Sequence, residues 1–94
     1  MTTASTIRKF ELGAIAITPG VGRLDPLGLM VPGLLQRHQS GDWGNVCEDD
    51  AAENNYSVDR RLRILSSYTL KGEKVWVITE ADRSATTVLL PSEY

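Results

Sequence analysis

Cysteine is nearly missing from this chain: among its 94 residues Cys47 stands alone. No disulfide can close within the chain, and no thiolate set for structural zinc or an iron–sulfur cluster can form. The cytoplasm, a reducing compartment, is the expected setting. Long apolar runs are missing too. Val75-Trp76-Val77-Ile78 is as long an uninterrupted one as the sequence holds, far below the roughly 20 residues that span a bilayer, so no membrane partner is expected. Arg8 and Lys9 are not followed by an apolar core, which argues against a secretory leader. Nor does charge of one sign dominate. Ten basic against 12 acidic residues leave a formal net charge of −2, which gives no overall positive field to draw nucleic acid directly.

What is present is an average globular composition, 41% hydrophobic and 23% charged, in a chain of the size of one core and too short for two. One domain over residues 1–94 is expected, with the Thr- and Ser-rich residues 1–8 frayed. Order should begin near Lys9. Phe10, Leu12, Ala14 and Ala16 share one parity and Ile15 and Ile17 the other, so a strand ending at Ile17 is apolar on both faces, which predicts a central or covered place in the sheet. Thr18-Pro19-Gly20 ends it, because proline offers the ladder no donor.

Leu27, Met30, Val31, Leu34, Leu35 and His38 then fall on one helical stripe, with Asp25-Pro26 suited to its start. Pro32 inside an unbroken helix would cost about 3 kcal/mol. The spacing therefore predicts a short turn of helix near residues 21–28, a break over 28–31, and a helix opened by Pro32 that runs to about Gln39, with Gly41 as its stop. Residues 48–56 predict a further helix whose early carboxylates suit its N-terminal dipole, weakened after two or three turns by Asn54, Asn55 and Ser57. Period two follows over residues 61–68, 74–80 and 86–90, separated by tight turns. Strands joined so closely are antiparallel neighbours. The expected fold is α+β, in the order β-α-α-β-β-β, with helices packed on one face of a four-stranded antiparallel or mixed sheet and Trp76 in its core.

His38 and Asp42 stand four apart at a helix end, so an imidazole and a carboxylate could meet as the orienting half of a general base. With an arginine of the Arg60, Arg61 and Arg63 cluster steadying phosphate charge, this pair defines the alternative reading, a small nuclease or toxin-like enzyme. No nucleophile elbow, zinc-helix motif, phosphate loop or dinucleotide fingerprint accompanies it, so the residues point away from catalysis and no cofactor is expected. His38, Asp42, Glu48 and Asp49 are of metal-ligand type, but they lack the order of a calcium loop and nothing fixes their geometry. No metal is expected. Cys47, set before acidic residues, is poorly placed to become a thiolate.

Three segments remain as candidates for meeting a partner. The loop Ser40-Gly41-Asp42-Trp43-Gly44 contains a tryptophan that either anchors the loop on the core or touches a ligand. The acidic stretch Glu48, Asp49, Asp50 follows it, and the Asp82-Arg83 tip joins the last two strands. Arg60, Arg61, Arg63 and Lys71 with Tyr68 or Trp76 could serve as a stacking platform for nucleic acid, although alternate arginines on a strand more simply mark its wet face.

Two segments resemble a family of short proteins encoded on plasmids, prophages and integrative elements: Arg37-His38-Gln39-Ser40-Gly41-Asp42-Trp43-Gly44, and the stretch from Trp76 through Ile78-Thr79-Glu80-Ala81-Asp82-Arg83-Ser84 to Leu89-Leu90-Pro91-Ser92-Glu93-Tyr94. With the intervening strand, the resemblance covers about the last 60 residues, by the residue numbers of those segments. It implies a mobile-element setting, in which small domains act by binding, as anti-CRISPR or anti-restriction inhibitors or as members of toxin–antitoxin pairs. The partner it implies is a protein or ribonucleoprotein defence complex. A homodimer through an exposed strand edge is a further expectation for so small a sheet.

Overall fold

The structure is a computed structural model, and it describes residues 7–94. The expectation of a frayed end at residues 1–8 lies, for residues 1–6, outside the described residues. Three helices separate the first strand from a meander of three more: β1 (Ala14–Ile17), α1 (Pro19–Leu24), α2 (Val31–Gln39), α3 (Glu48–Arg60), β2 (Ile64–Leu70), β3 (Glu73–Thr79) and β4 (Ala85–Leu89), closed by a 3-10 turn at Pro91–Glu93. The sheet order is β1-β4-β3-β2. β2, β3 and β4 pair antiparallel, as their short turns require, and β1 lies parallel to β4. The sheet is mixed.

Register fixes which side chains share a face. Ser66 lies opposite Val77, Tyr68 opposite Val75, and Val77 opposite Val88. These join Val21 of α1 and Val31 and Leu34 of α2 in the main core. Ile64, on the same face, packs with Phe10 and Trp43, against which Ala51 and Val58 of α3 rest. All three helices therefore cover one face. Trp76 belongs to the other. It is half-buried and meets the ring of Tyr94 edge-on at 5.9 Å, so it does not sit in the core under the helices as expected.

Three expectations change. β1 is neither central nor covered: it is an edge strand only four residues long, with every side chain exposed. Gly13 (φ +67°) turns the chain before it, where a Cβ would come within 2.4 Å of the Ser84 backbone. Residues before that glycine serve α2 instead, with the Lys9 amide donating to Gln39 C=O and the Gln39 side chain to Phe10 C=O. α2 opens at Val31 with Pro32 in its first turn, one residue before the start that the spacing predicts, and Leu27 and Met30 leave the apolar stripe for solvent. α3 runs past Asn54 and Ser57 to Arg60, because both polar residues turn inward with partners. Asn54 clamps the Leu65 backbone by a reciprocal pair of bonds, 2.8 and 3.2 Å, and Ser57 Oγ donates to Glu53 C=O. Arg61, at φ 54°, ends the helix.

Candidate partner-binding surface

His38 is fully buried, at the end of α2. Its Nδ1 lies 2.6 Å from Ser66 Oγ on β2 and its Nε2 lies 2.9 Å from Thr79 Oγ1 on β3. Thr79 Oγ1 is 2.7 Å from Thr86 Oγ1 on β4, whose hydroxyl donates to Leu12 C=O at 2.7 Å. A carbonyl can only accept, and each hydroxyl has one proton. Thr86 spends its proton on Leu12, so Thr79 must donate to Thr86. His38 Nε2–H must then donate to Thr79, and Ser66 donates to Nδ1. The chain runs one way and fixes one neutral tautomer. Burial, aided by the charge of Arg83, pushes the imidazole pKa down to about 3.

Asp42 is elsewhere. Its carboxylate accepts from Arg37 Nε at 2.7 Å, Arg37 Nη2 at 3.3 Å and the Gly44 amide at 3.2 Å, and the guanidinium holds its pKa below the usual carboxylate value. The His38–Asp42 pair of the alternative reading is not formed, because both ring nitrogens already hold hydroxyls. Trp43, a candidate for partner contact, is 5% exposed: its indole N–H donates to Asn55 at 3.0 Å and its ring stacks on Phe10. It anchors the loop. Gly44 (φ +76°) lets that loop run along the edge of β2, where the Ser67 amide donates to Trp43 C=O and the Asn45 amide to Ser67 C=O. A Cβ there would strike Ser67 C=O at 2.1 Å.

Glu48, Asp49 and Asp50 stand exposed on the first turn of α3, beside the Asp42 loop in sequence. Asp50 and Glu53 line a groove of about 240 Å³ with Asn54, Arg63 and Leu65. Arg83 belongs to the other end of α3, and it is buried, 6% exposed. Its guanidinium donates to Ser57, Leu62, Glu80 and Ala81 carbonyls at 2.7 to 3.2 Å, so it ties the helix C-terminus to the β3–β4 turn rather than reaching outward. This suits a cation to the negative end of the dipole. Asp82 stays exposed and accepts from the Ser84 amide. The predicted residues thus divide: Asp42, Glu48, Asp49, Asp50 and Asp82 are accessible, whereas Trp43 and Arg83 are buried and structural. No group of three or more His, Cys, Asp or Glu side chains suited to a metal ion occurs among the described residues, and no helix is long and apolar enough to cross a membrane.

One surface was invisible in the pattern. Between α1 and α2, Leu27 and Leu29 are 79% and 75% exposed, and Met30 is 45% exposed. They are held there by Asp25, itself buried, whose carboxylate accepts from the Leu29, Met30 and Val31 amides at 3.0, 3.0 and 2.9 Å. These bonds, Val31's above all, hold its pKa below the ordinary value. Asp25-Pro26 read as a helix start, and the same residue does cap backbone amides, but for a loop that leads into α2. The spacing of Leu27 and Met30 matched a helix by coincidence with the residues that follow.

Comparisons of the chain with protein-family models, with curated proteins and with solved structures found no match.

Proposed function

We propose that this protein is a small non-enzymatic binding module that acts by occupying a surface of a host defence complex, of the anti-CRISPR or anti-restriction kind. The observation that carries the binding reading is the Asp25 clamp, which presents Leu27, Leu29 and Met30 to solvent on an ordered loop. Large apolar side chains grouped at a surface mark contact sites, and ordering them beforehand lowers the entropic cost of association. The acidic first turn of α3 offers a second contact, suited to a basic groove. The defence setting comes from the resemblance to mobile-element proteins. An enzyme working through His38 and Asp42 has less to support it, since each of the two is bonded to other residues.

Affinity purification from a host carrying its defence systems tests this. The wild-type chain should retain a defence complex, and Leu27→Ser with Leu29→Ser should lose it while changing stability by under about 0.5 kcal/mol. If the wild type captures no such complex and gives phage or plasmid DNA no protection, the proposal fails. Growth arrest on expression, relieved by His38→Ala at unchanged protein level, would favour the enzyme instead.

A further inference from the structure

The two edges of the sheet are treated differently. That of β2 is closed by residues 43–45, through the two backbone bonds to Ser67. That of β1 is open among the described residues, and apart from its shortness it lacks the usual protections: residues 14–17 read Ala-Ile-Ala-Ile, without charge, proline or bulge. Ala14 N–H donates to Ser84 C=O and Thr18 N–H to Val88 C=O. In a parallel ladder this places the N–H and C=O groups of Ala14 and Ala16 toward β4, and those of Ile15 and Ile17 toward the open side.

We infer that β1 pairs with β1 of a second copy of this chain, antiparallel, about a two-fold axis at Ala16. Ile15-Ala16-Ile17 reads the same in both directions, so the axis sets Ile15 against Ile17 of the partner twice over, and every outward backbone group of the two isoleucines is bonded. Other axes do worse. Centring on Ile15 sets Ile17 against Gly13, whose φ of +67° is not extended, and centring on Ile17 sets Ile15 against Pro19, which has no N–H and opens α1. The chosen axis also gathers four isoleucines, each side chain now 44% or 48% exposed, on the helix-bearing face of a continuous sheet. The paired segment is shorter than a standard interface, so the dimer forms at roughly micromolar or higher concentration.

Sedimentation velocity over about 10 to 500 μM spans that range and should show a concentration-dependent dimer. Ala16 and Ala14 are both exposed on the helix-free face, and across the axis only Ala16 meets its own counterpart, as a non-hydrogen-bonded pair whose spacing suits a disulfide. With the exposed Cys47 replaced by serine, Ala16→Cys should oxidise to a disulfide dimer at least about tenfold faster than Ala14→Cys, which sits out of bonding reach. Ile15→Pro removes a donor that points away from β4, so it should give a monomer with unchanged circular dichroism. Ile17→Lys does the same by charge if the proline variant fails to fold. A monomer throughout the concentration range, equal crosslinking of the two cysteine variants, or a dimer that survives both edge substitutions would each overturn the inference.

Discussion

The region around His38 and Arg83 is polar and buried, whereas the loop between α1 and α2 is apolar and exposed. Residue type predicts the reverse in both places. In the first region every donor and acceptor is matched: the imidazole between two hydroxyls, the guanidinium against four carbonyls, and no buried side-chain nitrogen or oxygen without a partner among the described residues. In the second, the apolar groups are held outward because the buried Asp25 bonds the backbone beneath them. In these two regions bonding partners, more than hydropathy, decide what lies inside.

The largest way to break that contrast is to remove the guanidinium. Arg83→Met keeps the aliphatic stem, strands the Leu62 carbonyl and leaves that of Ser57 with backbone amides alone, so we expect a loss of about 3 kcal/mol in denaturant unfolding, with α3 loosening from the β3–β4 turn. Arg83→Lys should recover only part, since one ammonium cannot span both sites.

Acid gives the next effect. Because the folded pKa of His38, about 3, lies below its ordinary 6.5, the unfolded chain takes up a proton between those values that the native state refuses. Stability is thus unaffected above pH 6.5 and falls below it by about 1.4 kcal/mol per pH unit, or roughly 2 kcal/mol at pH 5. A His38→Gln variant should show a flat profile from pH 6.5 to 5, and a wild type equally flat would remove the neutral buried imidazole from the account.

The smallest effect sharpens the exposed side of the comparison. Asp25→Ala frees the Leu29, Met30 and Val31 amides, and hydrogen exchange should quicken at those three while the amides of β3 keep their protection. Global unfolding should shift less than for Arg83→Met. If the three amides exchange no faster, the loop is not held by this carboxylate.

The meander was legible because its period-two pattern and short turns leave one solution, and the break before Pro32 followed from a missing amide. The end of α3 was not. Asn54 and Ser57 weaken a helix when considered locally, and only the partners they find on β2 and within the helix reverse that. The same holds for β1: its apolar residues suggested a covered strand, and nothing in the local pattern says that the neighbouring sheet edge would be left open. Within the candidate surface, the accessible acids could be read from charge alone. Trp43 and Arg83 could not be assigned, since a tryptophan between glycines and an arginine at a turn look alike whether they face a core or a partner. Leu27 and Leu29 were missed because an outward apolar side chain has no signature when the device that holds it is a single carboxylate.

The one-way chain through His38 also acts as a ruler. A strand slipped by one residue turns its apolar side chains to water, so the hydrophobic pattern forbids it. A slip of two residues leaves every side chain on its proper face, and hydrophobicity barely notices. Here it would be noticed at once: sliding β2 two places along β3 brings Ile64 or Tyr68 to the position opposite Val77 that Ser66 now holds, and Nδ1 of the imidazole loses its only donor. A single ring resting on hydroxyls of two strands thereby distinguishes arrangements that a greasy sheet would treat as equal.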